Sequence, residues 1–331
     1  MASRGEERFT ALVGAGIVAA LIVVSLLIWV LKRRAAVPME PAAVVNAEPK
    51  KGKKGPSDAK RFPAKGSEPS GVAWVRGSDQ ILIVDDRDSS HVLAATIDEK
   101  GDIQGEVMPV DLGVEVEDAE DITSDGTYFY VVGSQFRKSS SKSSGIVRFR
   151  YDAATKQASD ITSISGLAEL LIASVPELGS TPSKSRTADS INIEGMGWDA
   201  NGGRLLLGFR NPVIDGNALI VPVAFKDANA GLAEGNLSFQ QAMTIDLGGQ
   251  AIRSIEPDGA GKFLIISGEP EGEKKDGFTL WTWDGSNAPA KLSDLDDKIK
   301  PEGVTAVEID GSKFFFVVGD AGYSMRLDDP S

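Results

Sequence analysis

One pattern recurs five times in this chain: a polar residue, a short apolar strand, a turn at or near Asp-Gly or Gly, a second strand of aromatic and β-branched residues, then Gly with another polar residue. The copies are GVAWVRGSDQILIVDD from Gly71, EDITSDGTYFYVVGS from Glu120, EGMGWDANGGRLLLGF from Glu194, RSIEPDGAGKFLIISGE from Arg253 and EGVTAVEIDGSKFFFVVGD from Glu302. With Gly71, Asp121, Gly195, Ser254 and Gly303 as phase markers, the steps are 50, 74, 59 and 49 residues. A four-stranded propeller blade takes ~40–50 residues, so these are blade periods carrying insertions. Third and fourth strands show between the copies as HVLAATI, GEVMPV, GIVRFRYD, ALIVPVAF, AMTIDL and FTLWTWD. The expectation is an all-β propeller over residues 68–331, of five or six blades, with a two-sheet sandwich as runner-up. A sandwich would not need the same opening five times. No helix recurs between strands, which excludes a parallel α/β sheet. Gly166–Ser174 alone has helical spacing and predicts an inserted helix, with a Ser/Thr-rich connection after it.

The N-terminal part is of another kind. Phe9 to Leu31 are 23 residues without a charge, closed by Lys32-Arg33-Arg34. At 1.5 Å per residue such a helix covers a ~30 Å hydrocarbon core, and no small-x-small cleavage site ends the run. Residues 9–31 therefore read as a single transmembrane helix and residues 32–67, rich in Pro, Gly and Lys, as a disordered basic linker. Residues 66–331 hold 23 basic and 43 acidic side chains, net −20. That balance predicts a membrane-tethered acidic head and no nucleic-acid partner. The cluster after the span leans towards a cytoplasmic head by the positive-inside rule.

The chain has no Cys and one His, which excludes disulfides, thiolate zinc sites and multi-histidine metal centres. There is no G-x-S-x-G elbow and no phosphate-binding P-loop. A Ser-His-Asp set can be written around His91, but neighbours on one turn seldom converge as a triad. Asp199-Ala-Asn201-Gly202 resembles a calcium-loop fragment and is more often a tight turn. Asn236-Leu-Ser238 is a glycosylation sequon. Trp74, Trp198, Trp281 and Trp283 are expected to pack between blades.

The repeat is more informative. Innermost propeller strands line the central channel, so residues at one phase form a ring around it. That phase supplies Glu120, Glu194, Arg253 and Glu302, with Ser70 in the first copy. Such a ring is costly to desolvate unless a cation, waters or an anionic ligand completes it. Glu120, Glu194 and Glu302 are the candidate ligands for Ca²⁺ or Mg²⁺. The second strands end in Asp85-Asp86, Ser134 with Arg137, Arg210, Glu269 and Asp320, where Arg137 and Arg210 can offer a bidentate fork to phosphate or carboxylate. The alternative is a purely structural ring that ties neighbouring blades.

Ile191–Val223, Ile252–Gly272 and Lys300–Gly311, with their Glu-Gly…Gly-x-Arg-x-Pro string, resemble a bacterial domain-of-unknown-function propeller family that is itself similar to the esterase-like phytase group. The resemblance implies an exported or membrane-anchored propeller, against the charge rule. Through its phytase-like relatives it implies metal-dependent phosphoester hydrolysis at Glu194 and Arg210, with Glu120 and Glu302 as neighbours. The chain departs from that pattern at Ser70, where an opening Glu is missing, and at Arg137, which follows Gly-Ser-Gln-Phe where relatives carry a Gly-Ser-His string. The sequence thus favours a binding or scaffold module for an unidentified protein or small polar ligand, with a phytase-like hydrolase as the alternative.

Overall fold

A strand that opens each repeat must be covered on both sides, and the alternation of its neighbour shows how. In the computed structural model, which describes residues 59–64, 66–136, 144–181, 187, 189–273 and 277–329, the first strand is β1 (Lys60–Arg61). The first blade follows as β2 (Pro69–Trp74), β3 (Gln80–Asp85), β4 (His91–Ile97) and β5 (Ile103–Asp111). The second is β6 (Ala119–Ser124), β7 (Phe129–Gly133), β8 (Ile146–Asp152) and β9 (Gln157–Ile164), after which comes the helix α1 (Leu167–Ser174). The third is β10 (Asn192–Asp199), β11 (Arg204–Ile214) and β12 (Asn217–Phe225), with the short strands β13 (Leu237–Phe239) and β14 (Met243–Ile245) both on β12. The fourth is β15 (Ala251–Pro257), β16 (Phe263–Gly268), β17 (Phe278–Trp283) and β18 (Ala290–Leu295). The fifth is β19 (Pro301–Ile309), β20 (Ser312–Gly319) and β21 (Tyr323–Asp328). All pairings are antiparallel meanders, and β2, β6, β10, β15 and β19 contact one another in a closed ring. The expected propeller has five blades.

The second strands read as unbroken apolar runs because each is sandwiched between two neighbouring blades. On β3, Ile81 and Ile83 enter the core shared with the fifth blade, while Leu82 and Val84 enter the core shared with the second. On β20, Phe314 and Phe316 face the first blade, and Phe315 and Val317 the fourth. Five such inter-blade cores close the circle, one at each junction. The predicted helix is present, and its Leu167, Ala168 and Leu171 are buried in the core between the second and third blades.

One boundary moves. Residues 59–64 fall inside the expected linker, yet β1 pairs with β21 and supplies the fourth strand of the fifth blade. The reason is the edge: β21 would otherwise expose unpaired backbone groups. Phe62 is buried beside this strand, its N–H donates to the Gly322 carbonyl at 3.0 Å, and Lys60 pairs with Asp102 of the first blade. The apolar run 9–31, most of the linker and Arg137 lie outside the described residues. Among the described residues no helix is long and apolar enough to cross a membrane.

Candidate functional site

Each inner strand is bulged at the same phase. The pairing skips one residue between Pro69 and Gly71, Ala119 and Asp121, Ile193 and Gly195, Ile252 and Ser254, and Pro301 and Gly303. The skipped residues are Ser70, Glu120, Glu194, Arg253 and Glu302. A bulge frees a residue from the ladder and re-aims its side chain, so the five polar openings of the repeat are the five bulges.

Four of these side chains converge. Arg253 of the fourth blade reaches both neighbours: its Nε lies 2.8 Å from Glu194 Oε2 and donates to Glu302 Oε2 at 2.6 Å, while its Nη2 donates to Glu302 Oε1. Glu194 Oε1 accepts from Arg210 Nη1 and from Asn192 Nδ2, each at 3.0 Å. Arg210 also meets Glu271 at 3.3 Å and donates from Nε to the Glu269 carbonyl at 3.2 Å. Glu194, Arg253 and Glu302 are each under a tenth exposed. Burial alone would lower the Arg253 pKa, but Glu194 and Glu302 raise it. Burial pushes Glu302 up to about 7, against the pull of Arg253.

Among the described residues Glu120 forms no such ion pair, and the Arg253 charge acts on it only at longer range. Burial first, then the charges of Glu194, Asp118 and Glu302, raise its carboxyl well above the usual range, against the pull of Arg253. Ser70 stays out of the ring and donates to the Glu68 carbonyl. The position expected for a metal is filled by the Arg253 guanidinium. All four carboxylate oxygens of Glu194 and Glu302 face a guanidinium, a donor set that does not fit Ca²⁺ or Mg²⁺. Among the described residues no group of three or more His, Asp or Glu is placed to hold a metal ion.

One step below the ring stand Gly71, Asp121, Gly195, Ser254 and Gly303. A Cβ on Gly71 would come within 2.6 Å of Asp121 Cα, and one on Gly303 within 2.8 Å of Gly71 Cα, so the strands crowd backbone to backbone. Asp121 crosses this narrowing. Its Oδ1 accepts from the Ile122 N–H, and its Oδ2 from the N–H groups of Met196 and Ile255 and the Ser254 hydroxyl, binding blades two, three and four. Burial holds this carboxyl well above its ordinary pKa, against those donors. The hub was missed in the sequence, where Asp121 reads only as a polar residue at a strand start.

Three amides surround the ring on the side of blades two and three. Asn192 pairs across β10 and β11 with Asn211, and the N–H of Ile193 donates to the Ser134 carbonyl beside Gln135. Gln135 Nε2 donates to the Gly133 carbonyl, Asn192 Nδ2 to Glu194, and Asn211 Oδ1 accepts from the Glu271 N–H. These partners fix each amide's orientation. Among the described residues Gln135 Oε1, Asn192 Oδ1 and Asn211 Nδ2 are left buried with no hydrogen-bond partner, as is Glu194 Oε2, which meets Arg253 only as an ion pair. Across the mouth, Asp86 is raised to about 7 by burial and by its hydrogen bond to Asp118, while Lys300 pairs with Asp320 at 2.8 Å.

The other sequence features resolve as architecture. Both Ser90 Oγ and the Asp88 carboxylate contact the same ring nitrogen of His91, Nδ1, so no triad relay forms. Asp199 closes its own turn through the N–H groups of Asn201 and Gly202. Asn236 is buried, its amide bonded to Asp227 and Gly231, and presents no glycosylation acceptor in the folded domain. Trp198 stacks on Tyr130 between blades.

Five blades around a channel plugged by Asp121 and lined at one mouth by a Glu/Arg ring define a five-bladed β-propeller. The chain belongs to the family described as protein of unknown function (DUF3616), whose profile matches residues 156–329, just over half of its length. No curated protein matches it. Among solved structures it is similar to a luciferin-regenerating enzyme (11% identity, TM-score 0.44, covering 82% of this chain and 95% of that one). A chain of a mitotic checkpoint complex (10%, 0.42, 89% and 98%) and a Bacteroides thetaiotaomicron protein of unknown function (12%, 0.39, 81% and 70%) are also similar. At these TM-scores the likenesses carry no argument.

Proposed function

We propose that this propeller is a binding module, held at a membrane by residues 9–31, whose ring mouth takes a small, uncharged polar ligand. One observation carries this reading: the ring's charges are paired within the protein, while Gln135, Asn192 and Asn211 keep buried polar atoms with no hydrogen-bond partner among the described residues. A buried donor or acceptor without a partner costs ~1–3 kcal/mol, which a hydroxyl- or amide-bearing ligand would recover. Phytase-like hydrolysis is disfavoured because the carboxylates it would use are held by Arg253 and Arg210.

The test is a thermal-shift panel of polyols, monosaccharides and amino acids on the purified full-length protein. At least one compound is expected to raise the Tm, with the rise lost in Gln135→Asn and Arg210→Gln. A panel without any rise, or a rise indifferent to both variants, overturns the reading. Alkaline carbonate washing tests the anchor: recovery of a soluble chain beginning after Leu31 would reject it. Protease added to spheroplasts then tells on which side the head lies.

A further inference from the structure

The channel has a second mouth, made by the hairpin turns between first and second strands. A cavity of about 260 Å³ lies there, lined by turns of blades one to four, and a cleft of about 470 Å³ adjoins it between blades four and five. Arg76, Gly259 and Lys262 line both. Arg76 stands on the β2–β3 turn, which is fixed by Trp74 Nε1 donating to the Ser78 carbonyl and by Ser78 Oγ donating to the Val75 carbonyl. Its guanidinium crosses to a blade that is not its neighbour: a Cβ on Gly259 of the fourth blade would sit 3.3 Å from Arg76 Nη1. Gly259, at φ +81°, leaves that space open.

The acids on the turns of this mouth are already committed, and Glu308, which lines the adjoining cleft, lies 3.7 Å from Lys313. Asp125 accepts from the N–H groups of Thr127 and Tyr128 and from the Tyr130 hydroxyl. Asp199 holds its turn and Arg204 at 2.9 Å, and Asp258 accepts from the N–H groups of Ala260 and Lys262. Glu256, buried beneath, has one oxygen without a hydrogen-bond partner among the described residues, and burial raises its carboxyl well above its ordinary pKa against the pull of Thr123 and Arg76. Among the described residues Arg76 and Lys262 make no ion pair within 4 Å, the Glu256 carboxyl lying within longer-range reach of Arg76. In a domain of net −20, two cations outside any close ion pair beside one cavity are an unusual placement, and a planar guanidinium fork is shaped to grip an oxyanion.

We propose that this far mouth is a second binding site, for a small oxyanion such as a phosphate- or carboxylate-bearing metabolite, gripped by Arg76 with Lys262 as the second cation. It is independent of the ring mouth, and the test separates the two. Full-length protein is titrated with inorganic phosphate by calorimetry and by thermal shift, against chloride at matched ionic strength. Phosphate at equal concentration strengthens burial in any protein, so the readout is the difference between variants. Charge-assisted bonds contribute ~1.5–3 kcal/mol, so Arg76→Gln is expected to weaken phosphate by about tenfold or more, Lys262→Gln by less, and the ring variant Arg210→Gln not at all. Both substituted side chains are exposed, so the fold is preserved. Arg76→Lys is expected to fall between wild type and Arg76→Gln. Phosphate binding that is absent in the wild type, equal in Arg76→Gln, or lost in Arg210→Gln overturns the proposal.

Discussion

The two mouths of one channel divide charge in opposite ways. At the ring mouth the charged groups pair with one another and the groups left over are neutral amides. At the far mouth the aspartates of the hairpins are consumed by their own turns, and Arg76 and Lys262 stand outside any close ion pair. The cause is local. Bulges on crowded inner strands force side chains together away from water, where an unpaired charge is intolerable. Hairpin turns splay side chains into solvent, where Arg76 stays charged at little cost. Charge at the first mouth is therefore architecture, and charge at the second is available for a ligand.

The hardest test of this contrast is Arg253→Met, which leaves Glu194 and Glu302 buried without their cation. A loss of ~3–5 kcal/mol is expected, or some 2–4 °C of Tm per kcal/mol in a domain of this size, against under ~0.5 kcal/mol for Arg76→Met. Equal losses in calorimetric melts would erase the distinction. Next in size is Gly71→Ala, whose Cβ would meet the Asp121 backbone at 2.6 Å. Chemical denaturation should show ~1–3 kcal/mol lost, the usual overpacking cost; a neutral result would mean that the layer beneath the ring is looser than described.

A smaller effect concerns pH. Asp86 is raised from 3.8 to about 7, so the folded state binds its proton more tightly than the unfolded one. Its contribution is fully present below pH 3.8 and is lost as pH rises through about 7. Thermal melts should therefore give a higher Tm at pH 5 than at pH 8, with a flatter slope in Asp86→Asn; an unchanged slope would remove Asp86 as its source. Smallest of all, Ca²⁺, Mg²⁺ or EDTA should leave the melt where it is, because Arg253 already neutralises the ring. A metal-dependent rise that disappears in Glu194→Gln would restore the cation reading.

Much of this was legible in the sequence because a bulge needs the same phase in every blade. The polar openings from Glu120 to Glu302 are that phase, and the apolar runs after them mark strands covered on both faces. The outer strands were harder: β9 and β18 are mostly exposed and carry little periodicity. Lys60-Arg61 was read as linker because two basic residues have no strand pattern, and only the open edge of β21 gives them one. Gln135 is far along the chain from Asn192 and Asn211, and nothing in one sequence signals that the ends of blades two and three meet there. Arg76 went unremarked for the same reason, its partner surface belonging to a non-adjacent blade.

The two-residue pairing of β1 with β21 gives the propeller a mechanical side. Tension arriving along the chain from its N-terminal end acts first on Lys60 and Arg61, whose hold consists of that short ladder, the Asp102 contact, the Tyr323 ring under Arg61 at 5.0 Å and the buried Phe62. These few attachments would yield before any blade does. Peeling them bares the edge of β21 and removes one tie between the fifth and first blades, leaving the core of Ile81, Ile83, Phe314 and Phe316 to hold this seam.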